Sequence, residues 1–155
     1  MSETVKIGKC IIQTDLHYLV EDHSWVRFND DGSVTVGITD VAENMAGPIL
    51  HVYARKKGMR QKGQSLATIE SGKWVGPLKA PITGEILEAN AALDKDPGVV
   101  NRSPYGEGWV VRMKPAKLDE ERQFFLTGDA AVEAYRKRID EQNLKACAEV
   151  APDCG

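Results

Sequence analysis

Two stretches of this chain repeat one another in outline, and that repeat constrains the fold more than any other feature. Gly63-Gln64-Ser65-Leu66-Ala67-Thr68-Ile69-Glu70 is similar to Gly84-Glu85-Ile86-Leu87-Glu88-Ala89-Asn90-Ala91. Neither half-motif can bury its apolar positions alone, so the pair predicts a mainly β, pseudo-symmetric sandwich in which they pack together. A hairpin with strong turn chemistry precedes them. Asp30-Asp31-Gly32 separates Trp25-Val26-Arg27-Phe28 from Ser33-Val34-Thr35-Val36, and Asp-Gly supplies the positive φ angles that a tight turn needs. Residues 5–14 and 33–38 read as half-buried strands. Asp40 is placed to cap a short helix over residues 41–45 that Gly47-Pro48 ends, and residues 49–53 resume an extended run.

After Pro115 the period changes. Residues 118–126 read as a short helix ended by Gly128; Asp129 then caps a second, on which Val132, Tyr135 and Ile139 form a stripe. The chain therefore reads as a single domain over residues 1–148, with its sandwich core at about 5–115 and helices at about 118–147. Residues 149–155 offer little to bury and read as a flexible tail.

Between the two repeats lies Glu70-Ser71-Gly72-Lys73-Trp74. The apolar runs at 65–69 and 80–87 predict a hairpin with Lys73 at its tip, the outermost point of the scaffold. A lysine there is either an ordinary solvated side chain or an attachment point for a covalent group, and the local pattern leaves both open.

Composition removes several classes. A net charge of −3 with no RNA-binding or helix-turn-helix pattern argues against a nucleic-acid partner. No run reaches the roughly 18 to 20 apolar residues that cross a bilayer, and the N-terminus lacks a signal pattern, so a cytoplasmic location is expected. Cys10, Cys147 and Cys154 are too few and too dispersed for a disulfide framework and are not expected to staple the fold. Cys147 and Cys154 form at most a thiol pair in a frayed tail. His23 and His51 have no ligand-spaced companions, so no metal site is expected. Pro104-Tyr105-Gly106-Glu107-Gly108-Trp109 is a glycine-rich turn feeding a last strand at 109–113; without a following Gly-Lys-Ser/Thr it is no phosphate loop.

Five blocks in register carry a resemblance: His23-Ser24-Trp25-Val26; Val36-Gly37-Ile38-Thr39-Asp40; Glu70-Ser71-Gly72-Lys73; Ala80-Pro81-Ile82-Thr83-Gly84-Glu85-Ile86; and Pro104 to Trp109 with Lys114-Pro115. Together they resemble the H protein of the glycine cleavage system, in order over residues 18–140. The resemblance implies a barrel-sandwich hybrid fold with a short internal helix and C-terminal helices. It also implies a non-catalytic carrier, with lipoate amide-linked to Lys73 and Glu70, Ser71, Gly72 and Trp74 as the context an attaching enzyme reads. Forming the amide removes the ammonium charge and leaves a long arm. A biotin carrier has similar geometry, but biotinyl lysines there usually lie between methionines, whereas Gly72 and Trp74 flank Lys73.

Departures from that pattern bear on the cargo. Where the family commonly reads His-Glu-Trp, Ser24 replaces the glutamate. Pro77 stands where an acid follows the lipoyl lysine, and Met45 where a polar residue is common. A basic run, Arg55-Lys56-Lys57-Gly58-Met59-Arg60-Gln61-Lys62, replaces an acidic turn and suits an acidic partner surface or anionic cargo. In these features the chain is similar to the lipoate-binding proteins of the sulfur-oxidising heterodisulfide-reductase-like system. That resemblance implies a swinging arm carrying sulfur intermediates. Its expected partners are a lipoate ligase or lipoyl synthase and subunits of the heterodisulfide-reductase-like complex. The alternative is an aminomethyl carrier meeting glycine decarboxylase, aminomethyltransferase and dihydrolipoyl dehydrogenase, or a protein that relays lipoate to others. A carrier that docks transiently with several enzymes is expected to be monomeric.

Overall fold

The computed structural model describes residues 4–7, 10–19, 22–72 and 74–142. Its strands form three antiparallel sheets. The largest has seven strands, in the order β12 (Leu126–Thr127), β3 (His17–Leu19), β4 (Ser24–Phe28), β5 (Val34–Ile38), β11 (Val111–Pro115), β10 (Gly84–Ala89) and β7 (Gly58–Arg60). The second has three: β6 (Ile49–Ala54), β8 (Ser65–Ser71) and β9 (Val75–Lys79). Their facing side chains, among them Val36, Val52, Leu66, Ile69, Leu78 and Met113, close the main core. The chain crosses between the sheets through α1 (Asp40–Ala46), on either side of β7 at residues 55–57 and 61–64, and again through residues 80–83. This is the mainly β sandwich that the repeat implies, with one repeat on β8 and the other on β10, in opposite sheets.

The Asp-Gly hairpin forms as expected: Gly32 has φ +88°, and β4 pairs with β5 from Ser24↔Ile38 to Phe28↔Val34. Both β5 faces are buried, however, so β5 is a central strand and not the half-buried one its alternation suggests. Polar Thr35 is covered as well. Residues 5–14 hold two strands, β1 (Thr4–Ile7) and β2 (Cys10–Gln13), folded into a separate hairpin. Helix α1 is capped by Thr39, not Asp40: the Ala42 amide donates to Thr39 Oγ1 at 3.2 Å, the bond an N-cap residue makes.

Around Lys73, the strand that returns from the turn is β9, which pairs with β8 from Glu70↔Val75 to Ser65↔Lys79. The apolar run that suggested the returning strand instead forms β10, in the other sheet. Pro77 and Gly76 disguise β9 in the sequence, and Pro77 is tolerated because β9 is an edge strand.

Beyond β11, the predicted helix over 118–126 stops early. Helix α4 covers Leu118–Glu121, a 3-10 turn follows, and Leu126–Thr127 pair with Tyr18 and His17 on β3. Helix α5 (Gly128–Gln142) then packs on the sandwich. Its Ala131, Val132 and Tyr135 join Ile12, Tyr18 and Trp25 in a second core. Burial pushes the phenols of Tyr18 and Tyr105 above their ordinary range, so both stay neutral. Short helices α2 (Ala92–Lys95) and α3 (Val99–Arg102), too brief for a periodic signature, precede β11.

The cysteine expectation is overturned in one respect. Cys10 is fully buried and disulfide-bonded, with its partner outside the described residues, as are Cys147 and Cys154. Ile139 falls within α5, but its side chain and residues 143–155 lie outside what is described.

Candidate functional site

Antiparallel pairing of β8 and β9 brings Ser71 and Trp74 together. The Trp74 carbonyl accepts the Ser71 amide at 2.8 Å and the Ser71 hydroxyl at 3.3 Å. These two bonds bracket Gly72, which is exposed, and Lys73, which lies outside the described residues. Ser71 is buried, so its hydroxyl acts as an internal brace for the turn. Glu70 is half-buried one step down the strand, its carboxylate 3.5 Å from the Tyr53 hydroxyl. Of the residues expected as recognition context, Glu70 and Ser71 therefore end β8, Gly72 lies in the turn and Trp74 closes it.

Beside this turn, between the sheets, lies a cavity of about 520 Å³. Its walls come from elements far apart in sequence: Ile38 from β5, Ala42 and Ala46 from α1, Ile69 from β8, and Trp74, Pro77 and Leu78 from the turn and β9. Apolar carbon dominates. The Trp74 indole is 45% exposed and lies against Gly76, one wall of the cavity open to solvent. A long alkyl arm with a dithiolane at its end fits such a lining, because burying it leaves no polar group unpaired.

Two polar residues complete the wall, Asp22 and His23. Asp22 was not singled out from the sequence; only its place one residue before the His-Ser-Trp block pointed to it. His23 is held at φ +55°, a left-handed conformation unusual for any residue but glycine. The Thr39 amide donating to its carbonyl at 3.0 Å fixes it there, and its ring lies 6.0 Å from that of Tyr135. Ser24, by contrast, is fully buried off the cavity wall with its Oγ unpartnered. The Ser24 departure therefore sits at a sealed position, while an acidic residue, Asp22, is among those lining the cavity. Pro77 does line it, as the departure implied. The Met45 side chain is outside the described residues.

His51 is exposed on β6, stacked on Tyr53 with ring centroids 5.6 Å apart, and is not among the residues lining the cavity. Among the described residues no cluster of His, Cys, Asp or Glu has metal-site geometry.

The model of the glycine cleavage H-protein family matches residues 16–139, which span both sheets and the walls of the cavity. The chain belongs to that family. Glycine cleavage system H protein 2 of Aquifex aeolicus is 40% identical over 141 residues, covering 90% of this chain and 87% of its own length. A probable glycine cleavage system H protein 2 of Saccharolobus solfataricus is 42% identical over 140 residues, covering 88% and 94%. Among solved structures, a glycine cleavage system H protein of Mycobacterium marinum superposes with a TM-score of 0.66 at 32% identity, covering 81% of this chain and 98% of that one. H-family proteins are carriers whose lipoate is attached covalently to a lysine, so the fold is a lipoyl-domain-like barrel sandwich and lipoate is its cofactor. No helix among the described residues is long and apolar enough to cross a membrane.

Proposed function

We propose that this protein is a lipoyl carrier whose arm is amide-linked to Lys73 and whose cargo is a sulfur intermediate, handed between subunits of a cytoplasmic heterodisulfide-reductase-like sulfur-oxidation complex. One observation carries the choice of cargo. The cavity beside the attachment turn is walled by Ile38, Ala42, Ala46, Ile69, Trp74 and Leu78, with Pro77 where the family resemblance implies an acid. Moving an ammonium into such a lining costs several kcal/mol unless carboxylates meet it, whereas a polarisable, uncharged sulfur group loses little. Lipoate, when attached, supplies a disulfide–dithiol pair that takes up two electrons and two protons. The chain's own contribution is to brace the attachment turn through Ser71 and Trp74 and to offer a wall that keeps water from the arm's end.

A second reading is an aminomethyl carrier of glycine cleavage. The names of the relatives favour it, and so does Asp22, the acidic residue on the cavity wall among the described residues. In both readings the carrier is a monomer.

Intact mass tests the shared part: coexpression with a lipoate ligase adds the lipoyl mass, and Lys73→Arg abolishes the addition. The cargo is then tested with lipoylated protein. Incubation with polysulfide and heterodisulfide-reductase-like subunits should load sulfur onto the protein, while glycine and its decarboxylase should not charge it. Efficient glycine-dependent charging would reverse the assignment.

A further inference from the structure

Charge on this protein is segregated. Residues 44–84 contain seven lysines and arginines and one carboxylate, Glu70, in a chain whose net charge is −3. Six of those cations gather at the end of the three-stranded sheet away from Lys73. The Arg55 amide donates to the Leu66 carbonyl at 2.9 Å, Ser65 pairs with Lys79, and the Arg60 guanidinium reaches the Ser65 carbonyl at 3.4 Å. Arg55, Lys56, Lys57 and Lys79 are exposed, and Arg60 and Lys62 half-buried.

The ion pairs among the described residues join Arg102 to Asp96 and Arg112 to Asp31 and Glu88; none involves these six. The Glu121 carboxylate, linked to the Lys62 amide through the Thr83 hydroxyl, is engaged by the Thr83 amide and hydroxyl and forms no ion pair among the described residues. Glu85 stands in register with Met59 and Lys114, and Asp94 shares a shallow groove with Lys56, each without an ion pair. Like charges sharing one end of a sheet raise one another's field, so a cluster without ion pairs suits an anionic partner.

Apolar side chains are interleaved with the charges. Met59 is 58% exposed and Phe124 56%, with the Lys62 ammonium 4.9 Å from the Phe124 ring centroid. Aromatic residues, methionine and arginine are the types enriched in protein interfaces. Exposed apolar side chains among the cations favour a protein over a nucleic acid.

We infer that the surface formed by Arg55, Lys56, Lys57, Arg60, Lys62 and Lys79 docks an acidic face of the enzyme that attaches lipoate. That enzyme is the partner the covalent chemistry itself demands, so the inference rests on the lipoyl-carrier reading above. The distances allow it. Six residues of β8 separate this end from the attachment turn, roughly 20 Å at 3.3 Å per residue. An interface of about 800 Å² per partner is roughly 30 Å across, so one enzyme holds the cationic end while its active site meets the turn.

The test uses the unmodified chain, lipoate, ATP and a lipoate–protein ligase, with lipoyl addition followed by intact mass. In about 20 mM NaCl, Arg55→Glu/Lys56→Glu/Lys57→Glu should raise the KM for the carrier at least about tenfold with kcat within about twofold, the gap shrinking in about 0.5 M NaCl. A control set on other exposed cations, Lys95→Glu/Arg136→Glu/Lys137→Glu, should leave KM within about twofold. Unchanged KM in the patch variant overturns the inference, and so does an equal rise in the control, which would report net charge alone. Retarded migration of a uridine 30-mer, or binding to phosphatidylserine vesicles, by the wild type but not the patch variant in about 0.15 M NaCl overturns it in favour of another class of partner. A wild-type chain that gains no lipoyl mass would instead refute the carrier reading, and the docking surface with it.

Discussion

Two tryptophans in this protein each lie against a glycine, one in each main sheet, and they do opposite things. In the seven-stranded sheet Trp25 is paired in register with Gly37, is fully inaccessible, and donates its indole N–H to the Pro104 carbonyl at 3.0 Å. In the three-stranded sheet Trp74 covers Gly76, is 45% exposed, and walls a cavity. The same device, an indole laid where a side chain is missing, seals the scaffold in one sheet and leaves a wall that can yield in the other. The seven-stranded sheet is therefore expected to carry stability, and the three-stranded sheet to carry the chemistry at little cost when altered.

The largest expected effect comes from removing the two rings. Trp25→Ala deletes a large buried side chain and its hydrogen bond, and should cost about 3–5 kcal/mol in urea unfolding. Trp74→Ala, at a half-exposed site, should cost less than about 1 kcal/mol. Similar losses from both would dissolve the contrast between the sheets.

Next come the glycines. A Cβ at Gly37 would stand 2.6 Å from Trp25 Cε2 and Cζ2, in a core that cannot open, so Gly37→Ala should destabilise by about 1–3 kcal/mol. At Gly76 the clash is closer, 2.2 Å from Trp74 Cζ2, yet the ring can swing into solvent. Gly76→Ala should thus cost under about 1 kcal/mol while red-shifting Trp74 emission as the indole leaves its wall. A Gly76→Ala protein with unchanged emission and a large stability loss would mean that the wall is as rigid as the core.

Much of this was legible in local chemistry and little of it in distant pairing. The Asp31-Gly32 turn and the Gly47 helix end appear because a few adjacent residues dictate them. The Ser71 to Trp74 turn was found for the same reason, while its returning strand was not: Gly76 and Pro77 weaken the strand pattern that an edge position tolerates. The cavity is invisible in one dimension because its walls converge from β5, α1, β8 and β9. Asp22 carries no signal of its own, and the buried disulfide of Cys10 leaves no local pattern. Ser24 misled in a different way. A resemblance gives the position of a substitution but not whether the new side chain still faces the site.

The joint between the two sheets supplies the third effect. Where the chain crosses from β9 to β10, the buried Glu121 carboxylate accepts the Thr83 amide and the Thr83 hydroxyl, each at 2.6 Å. Glu121→Gln replaces one acceptor with a donor and should cost about 1–2 kcal/mol. Double-mutant cycles with Thr83→Ala should show the two changes coupled by at least about 0.5 kcal/mol. Additive losses would place the joint's strength elsewhere.

The smallest effect is a pH dependence confined to the scaffold side. His17 packs between Phe28 and Phe125, with ring centroids 4.4 and 6.3 Å away, and its Nδ1 is buried without a hydrogen-bond partner. Burial, and then the Arg122 guanidinium, lowers its pKa from the ordinary 6.5. The unfolded chain therefore binds the proton more tightly than the folded one. The stabilisation is complete above about pH 6.5 and is lost as the pH falls from there through the lowered folded value. Melting temperature should decline over that window, and His17→Gln should flatten the decline without changing emission from Trp74. An NMR titration placing the His17 midpoint at or above 6.5 would remove the effect and, with it, this further difference between the two sheets.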